Sequence, residues 1–151
     1  MKNILPLILL FSFLIHGSKE DLVYEISYGA HQKQKIDFYK GDSKKVLVWI
    51  HGGGWLYGDK RADRWIRRFE NHFTGYKNFN LYMIGYRVGE GTAPDAVDDI
   101  MCAYQKIVTE VVANDFSKDD IVVAGASAGG HLALMLGFSN NYFNKACLEE
   151  T

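Results

Sequence analysis

Hydrophobic and polar residues partly alternate along two short segments near the start of the chain. Residues 22–29 and 34–40 combine this alternation with many β-branched and aromatic side chains. Such segments are typical of half-exposed strands, and the turn between them falls near Ala30 and His31. We therefore predict two simple strands that sit at one edge of a sheet.

Later segments are almost continuously apolar instead. Residues 45–51 and 121–125 have the character of strands that are buried on both faces, and residues 80–86 predict a further strand. A polar loop over residues 114–120 precedes the last of these strands.

Helical periodicity appears between these strands. Pro94 opens the longest helical pattern, and proline suits the first turn of a helix. Helices are also predicted over residues 61–73 and 128–138. Strands that alternate with helices from residue 45 onward predict an α/β fold class with a largely parallel, helix-covered sheet. The apolar residues that recur at three- and four-residue steps in the longest helix are Val97, Ile100, Met101, Tyr104, Ile107, Val108 and Val111.

Composition and charge fit one globular domain. The 151 residues are 48% hydrophobic and 23% charged, and the formal net charge is −1. That balance gives no electrostatic reason to expect nucleic acid as a partner. The densest basic stretch, residues 60–68, has helical spacing and is predicted to be a solvated helix face.

The N-terminal segment, residues 1–18, differs from the rest of the chain. A short positive start precedes an apolar run over residues 4–15 and a small polar stretch over residues 16–18. This layout predicts a secretory signal peptide with cleavage near Gly17 or Ser18, and hence a secreted or periplasmic protein. The apolar run is too short for a stable membrane anchor, because a spanning helix needs about 20 such residues.

The two cysteines, Cys102 and Cys147, fit that exported compartment, but their spacing leaves open whether they pair. They form no metal motif, and a cysteine on an apolar helix face, such as Cys102, is more often a small core residue. We expect no metal and no cofactor.

A serine stands between glycines directly after the last predicted strand. Gly125, Ser127 and Gly129 form the pattern G-x-S-x-G at a strand-to-helix junction. Such a turn holds the serine in a strained conformation with its hydroxyl clear of the sheet, and it requires small neighbours. Ser127 is therefore a candidate nucleophile. The alternative is a small residue that merely suits a turn.

A second glycine cluster, HGGGW over residues 51–55, follows the third predicted strand. Sites in such sheets form at the carboxyl ends of the strands, where both clusters lie. Successive glycines let a backbone present its N–H groups without obstruction. The amides of Gly52, Gly53 and Ala128 are thus candidate donors of an oxyanion hole. His51 is expected to orient the loop by hydrogen bonding rather than to act as the base.

Nucleotide binding suits these glycines less well. Gly53 and Gly58 have the spacing that begins a phosphate-binding loop, but Asp59 stands where that loop requires a lysine. A carboxylate there would repel phosphate, and neither cluster has the spacing of a dinucleotide fingerprint.

Several short motifs occur in one order that resembles a known family. They are HGGGW, GDK at 58–60, YR at 86–87, Pro94 with Asp99 five residues later, and GASAGGH at 125–131. In that combination the chain resembles the α/β-hydrolase fold. More narrowly, it is similar to esterases and lipases of the hormone-sensitive-lipase and carbohydrate-esterase type, with kynurenine formamidase and prenylcysteine methylesterase as relatives. The resemblance covers about residues 28–138 of a single domain expected over residues 19–151.

The resemblance implies roles for residues already singled out. Ser127 would be the nucleophile, and Trp55 would line the acyl or alcohol pocket. The alternative for Trp55 is simple packing at a loop. Arg87 and Asp99 would lie at the pocket rim or support the fold, and the alternative is an isolated ion pair.

The partners of the serine are harder to assign. In this fold an acid and then a histidine follow the nucleophile along the chain. After Ser127 come one histidine, His131, and two acids, Glu149 and Glu150. His131 falls one helical turn after the serine and is expected beside Ser127 on the helix, not facing the hydroxyl across the site. The remaining histidines precede the serine: His16, His31, His51 and His72.

We therefore expect the N-terminal half of an esterase about twice as long, truncated after the helix that follows the serine. In such a half, the strand at 121–125 is an unpaired edge and prone to aggregation.

These observations predict a secreted serine carboxylic-ester hydrolase that works through an acyl-enzyme. Its expected substrate is a small-molecule or polysaccharide-linked ester, with acetyl or feruloyl esters suggested by analogy. The chain by itself is expected to be nearly inactive, because the triad acid and histidine are not found. The alternative is a catalytically dead remnant or a non-enzymatic binding protein. The sequence does not predict an oligomeric state.

Overall fold

The computed structural model describes residues 23–62, 78–139 and 147. The expected signal peptide, nearly all of the helix expected at 61–73 and most of the basic stretch at 60–68 lie outside these residues. So do His16, His72, Glu149 and Glu150.

Strands and helices lie close to their predicted positions. The strands are β1 (Val23–Ser27), β2 (Lys35–Tyr39), β3 (Val46–Ile50), β4 (Asn80–Ile84) and β5 (Ile121–Gly125), and the helices are α1 (Ala93–Ala113) and α2 (Ala128–Phe138). Pro94 stands in the first turn of α1, as expected. The polar loop before β5 contains a short 3-10 turn at Lys118–Asp120.

The five strands form one mixed sheet in the order β1-β2-β4-β3-β5. β3 pairs in parallel with both β4 and β5, whereas β2 pairs antiparallel with β1 and β4. The parallel part is the α/β portion predicted from the alternation of strands and helices. The two simple strands lie at one edge, also as predicted.

Two predictions of strand burial were wrong. β2 was expected to be half exposed, yet its residues from Ile36 to Tyr39 are all buried because the strand lies between β1 and β4. β5 was expected to be buried on both faces, but Val122 is 53% exposed. β5 is the last strand of the sheet in the part of the chain that the structure describes, so one of its sides has no neighbour there.

Each face of the sheet carries its own core. On one face, Val48 and Tyr82 pack with Ile100 and Ile107 of α1 and with Leu132 of α2. The other face holds a smaller group formed by Tyr39, Leu47, Leu81 and Met83. Both helices therefore pack on the same face of the sheet.

A disulfide joins Cys102 of α1 to Cys147, with 5.3 Å between the two Cα atoms. This answers the question that the spacing left open. The bridge ties the segment after α2 back to the middle of α1. Among the residues that the structure describes, no helix is long and apolar enough to cross a membrane.

Candidate active site

Ser127 occupies a sharp turn between β5 and α2. Its backbone has φ 51° and ψ −117°, and the residue directly precedes the first residue of α2. A positive φ is uncommon for a residue with a side chain and costs about 1–3 kcal/mol, so it persists only where the surroundings impose it. The Ser127 side chain is exposed at the carboxyl end of the sheet.

The glycines on either side of Ser127 lie where no side chain would fit. A Cβ on Gly129 would collide with the carbonyl oxygens of Ile50 and His51, and a Cβ on Gly125 would collide with the carbonyl group of Gly129. The start of α2 therefore lies directly against the end of β3. This close approach is the physical reason for the G-x-S-x-G spacing.

The glycine loop after β3 reaches the same turn. A Cβ built on Gly52 would lie 2.6 Å from the carbonyl oxygen of Ala126 and 3.3 Å from the Cβ of Ser127. Gly53 has φ 142°, and its carbonyl oxygen accepts hydrogen bonds from the amides of Leu56 and Tyr57, both at 3.2 Å. The structure thus brings the two glycine clusters together.

His51 lies beneath this loop. Its side chain is buried, and Nδ1 is 2.9 Å from the carbonyl oxygen of Gly52. A carbonyl oxygen can only accept, so Nδ1 is the donor. The His51 ring stacks on Tyr86 with 4.2 Å between ring centroids, and the Tyr86 hydroxyl donates to the His51 carbonyl oxygen at 2.8 Å. Burial raises the pKa of Tyr86 to about 12.

Trp55 is held by both its backbone and its ring. Its φ is 62°, and its carbonyl oxygen accepts hydrogen bonds from the amide of Gly89 at 2.8 Å and from the hydroxyl of Thr92 at 3.4 Å. The indole ring meets the His131 ring edge-on, with 5.5 Å between centroids and 83° between planes. His131 lies one turn into α2, where its amide donates to the carbonyl oxygen of Ser127 at 3.1 Å.

Arg87 and Asp99 form an ion pair at the start of α1. The Arg87 amide donates to Asp99 Oδ2 at 2.8 Å, and the guanidinium Nη2 donates to Oδ1 at 2.7 Å. The Asp99 side chain is 1% exposed and also accepts a hydrogen bond from Gln34. Hydrogen bonding to Asp99 raises the pKa of Arg87. This pair fixes the loop after β4 on which Gly89 and Thr92 stand.

A second buried charge cluster was not predicted. Asp37 in β2 is fully buried and pairs with Lys60 and Arg61, which follow the glycine loop. Both cations also pair with Glu25 of β1, and the hydrogen bond to Asp37 raises the pKa of Arg61. A carboxylate in the apolar run of β2 was the only sequence signal, because nothing in the spacing links residue 37 to residues 60 and 61.

None of the histidines in the described ranges bonds to the serine. His31 Nδ1 accepts a hydrogen bond from the Lys33 amide in the β1–β2 turn, His51 is buried beneath the glycine loop, and His131 packs on Trp55. In residues 23–62, 78–139 and 147, no group of three or more His, Cys, Asp or Glu side chains is placed to hold a metal ion.

A partly parallel sheet with a strained serine turn and an adjoining glycine loop defines the α/β-hydrolase fold. Comparison with known proteins agrees with this class. The BD-FAE family profile matches residues 36–151, so the chain belongs to the BD-FAE family.

Similar proteins are named as esterases and lipases. Secreted lipase 5 of Gibberella zeae is 29% identical over 61% of this chain and 19% of its own length. Among solved structures, a thermophilic esterase of Thermogutta terrifontis is 26% identical with a TM-score of 0.60, covering 74% of this chain and 42% of that one. A bifunctional GH43-CE protein of Bacteroides eggerthii is 29% identical with a TM-score of 0.61, covering 75% and 17%. The chain spans about a fifth of the length of the curated relatives that it matches.

Proposed function

We propose that this chain carries the nucleophile and the oxyanion-binding loop of a secreted serine carboxylic-ester hydrolase. The observation that supports this most is the contact between Gly52 and the Ser127 turn. The two motifs have 69 residues between them in the sequence, and they meet at the carboxyl end of the sheet. A serine at a mere turn would not need an open glycine backbone beside it.

The chemistry follows from this arrangement. The Ser127 Oγ attacks the ester carbonyl carbon, and the carbonyl oxygen becomes an oxyanion. The amides of Gly52, Gly53 and Ala128 would donate to that oxygen, and the N-terminal end of α2 adds a favourable dipole. When the intermediate collapses, the bond to the alcohol oxygen breaks, and the alcohol leaves with the proton taken from Oγ. Water then hydrolyses the acyl-serine.

In this fold an acid and a histidine follow the nucleophile along the chain; the histidine would carry that proton, and the acid would orient the imidazole. The structure argues against His51 for this role, because its Nδ1 is bonded to Gly52 and its ring is buried against Tyr86. His131 is turned toward Trp55.

Secretion and substrate class are supported by the N-terminal sequence and by two similar proteins. The pattern of residues 1–18 is that of a signal peptide, and one relative is named a secreted lipase. Similarity to a protein described as a bifunctional GH43-CE favours an ester carried by a polysaccharide, such as an acetyl or feruloyl ester. A free small-molecule ester would use the same serine.

A fluorophosphonate probe tests the proposal directly, because it reacts with activated serines. We expect slow labelling of the purified chain at Ser127, because an oxyanion hole keeps part of the catalysis when the triad histidine and acid are not in place. The label should be lost in Ser127→Ala and should be unchanged in the control Ser117→Ala, which lies in the loop before β5. Labelling that persists in Ser127→Ala, or no labelling of the wild-type chain, would overturn the proposal.

A further inference from the structure

The ring contact between Trp55 and His131 bridges the two halves of the candidate site. Trp55 belongs to the glycine loop after β3, and His131 belongs to the helix that begins after Ser127. Trp55 comes three residues after Gly52 in the sequence, and His131 comes four residues after Ser127. No other ring pair recorded in the described residues connects these two segments.

Trp55 requires such a contact more than most residues do. Its φ of 62° is in the left-handed region, where a bulky side chain is a rare outlier. The Gly89 amide donates to the Trp55 carbonyl oxygen at 2.8 Å and fixes the backbone, whereas the Thr92 hydroxyl lies 3.4 Å from that oxygen and has its nearer acceptor in the Gly89 carbonyl oxygen, at 2.8 Å. Backbone hydrogen bonding does not fix the indole ring, which is half-buried and packs against the main core.

His131 supplies a further contact to the indole. The imidazole meets the indole at 83°, an edge-to-face geometry that suits the quadrupole of an aromatic face. His131 is otherwise exposed, and its place on α2 is set by the hydrogen bond from its amide to the Ser127 carbonyl oxygen. The position of the imidazole is therefore set by the Ser127 turn and not by the glycine loop.

We infer that His131 is a positioning residue that holds the Trp55 indole as a wall of the substrate pocket, and that this pair sets the size of ester group that reaches Ser127. The inference rests on the proposed function. It assigns His131 a role in substrate selection and not in proton transfer.

The test compares two fluorophosphonate probes, one with a small alkyl group and one with a bulky aryl group, on the full chain. Loss of the imidazole in His131→Ala should release the indole and raise the ratio of aryl to alkyl labelling by about two- to tenfold, the range expected for an aromatic pair. His131→Phe keeps a ring edge and should restore the wild-type ratio. The matched control is His31→Ala, an exposed histidine in the β1–β2 turn, which should leave the ratio unchanged.

Tryptophan fluorescence supplies a readout that does not depend on reactivity. Trp49 and Trp65 emit whether or not Trp55 is present. His131→Ala should therefore shift the emission of a chain that has Trp55 and should leave the emission of a Trp55→Phe chain unchanged. An unchanged probe ratio in a chain that labels, or an emission shift that persists without Trp55, would overturn the inference. A wild-type chain that fails to label but shows the Trp55-dependent shift would overturn the proposed function while supporting the contact.

Discussion

At the scale of single residues, the backbone conformation determines which residue types fit at the candidate site. Ser127 has a positive φ, the end of β3 leaves no room for a side chain at Gly129, and the first turn of α2 leaves none at Gly125. The strain at Ser127 is balanced by the packing of α2 on β3. A serine in this position is exposed and presents its hydroxyl at the carboxyl end of the sheet.

Gly52 is the residue whose replacement most directly tests the oxyanion loop. In Gly52→Ala the new methyl group meets the Ala126 carbonyl oxygen at 2.6 Å, so the loop must move away from Ser127. We expect fluorophosphonate labelling to slow by about a hundred- to a thousandfold, the loss typical of one oxyanion donor. Gly54→Ala is the matched control in the same loop, since a Cβ there meets nothing within 4 Å. Gly54→Ala should lower the free energy of unfolding slightly, because residue 54 has a φ of 62°, and it should leave the labelling rate near that of the wild type. Equal rates in the two variants would contradict the role of Gly52.

The burial of Tyr86 predicts that the free energy of unfolding depends on pH in the alkaline range. Its pKa is raised from 10.0 to about 12 by burial. Between these values the unfolded chain releases the proton and the folded chain retains it, so the free energy of unfolding falls as pH rises. The contribution is full below about pH 10 and falls by up to about 1.4 kcal/mol per pH unit above it.

Urea unfolding of the wild type and of Tyr86→Phe over this alkaline range isolates that contribution. The variant should be less stable overall, since it loses the hydrogen bond to His51, but its stability should fall less steeply with pH. Both the wild type and the variant contain Tyr28, Tyr39 and Tyr82, whose pKa values are also raised, so these tyrosines contribute equally to both curves. Parallel slopes would show that Tyr86 does not titrate as its burial implies.

At the scale of elements, the disulfide encloses the nucleophile turn. Cys102 and Cys147 are 45 residues apart in sequence, and the loop between them contains β5, Ser127 and α2. Closing a loop of this size stabilises a protein by about 2–4 kcal/mol. We expect Cys147→Ser to lower the free energy of unfolding by about that amount, measured by urea denaturation. Adding a reductant should destabilise the wild type equally and leave the variant unchanged. A wild type insensitive to reductant would contradict this expectation.

The elements themselves were predictable because their signals are local. Val46–Ile50 and Ile121–Gly125 are short apolar runs bounded by turn residues, and α1 has a proline start and a helical repeat. The two glycine clusters were equally visible, since each directly follows a strand.

Other features of the site depend on contacts between distant residues, which no local pattern encodes. The burial of Asp37 against Lys60 and Arg61 needs β2 to lie inside the sheet, which its alternating pattern did not indicate. The stacking of Tyr86 on His51 likewise arises only when β3 and β4 lie side by side. The Trp55–His131 contact requires the parallel pairing of β3 with β5.

At the scale of the whole molecule, the sheet has one edge that is apolar and open within the described residues. β5 pairs only with β3 there, and Val122 in β5 is exposed, as is Phe138 at the end of α2. Exposed apolar strand edges promote association. We expect Val122→Lys to reduce self-association measured by light scattering. The control Val112→Lys changes an equally exposed valine on α1, 62% exposed, and should have little effect. Equal behaviour of the two variants would show that the edge does not drive association.

The most direct test of the central claim is a crystal structure of the fluorophosphonate adduct. It would show whether the serine turn and the glycine loop act as one site. We predict phosphorus bonded to Ser127 Oγ and a phosphonyl oxygen within hydrogen-bond distance of the amides of Gly52, Gly53 and Ala128. An adduct on another residue, or a phosphonyl oxygen turned away from all three amides, would contradict the account.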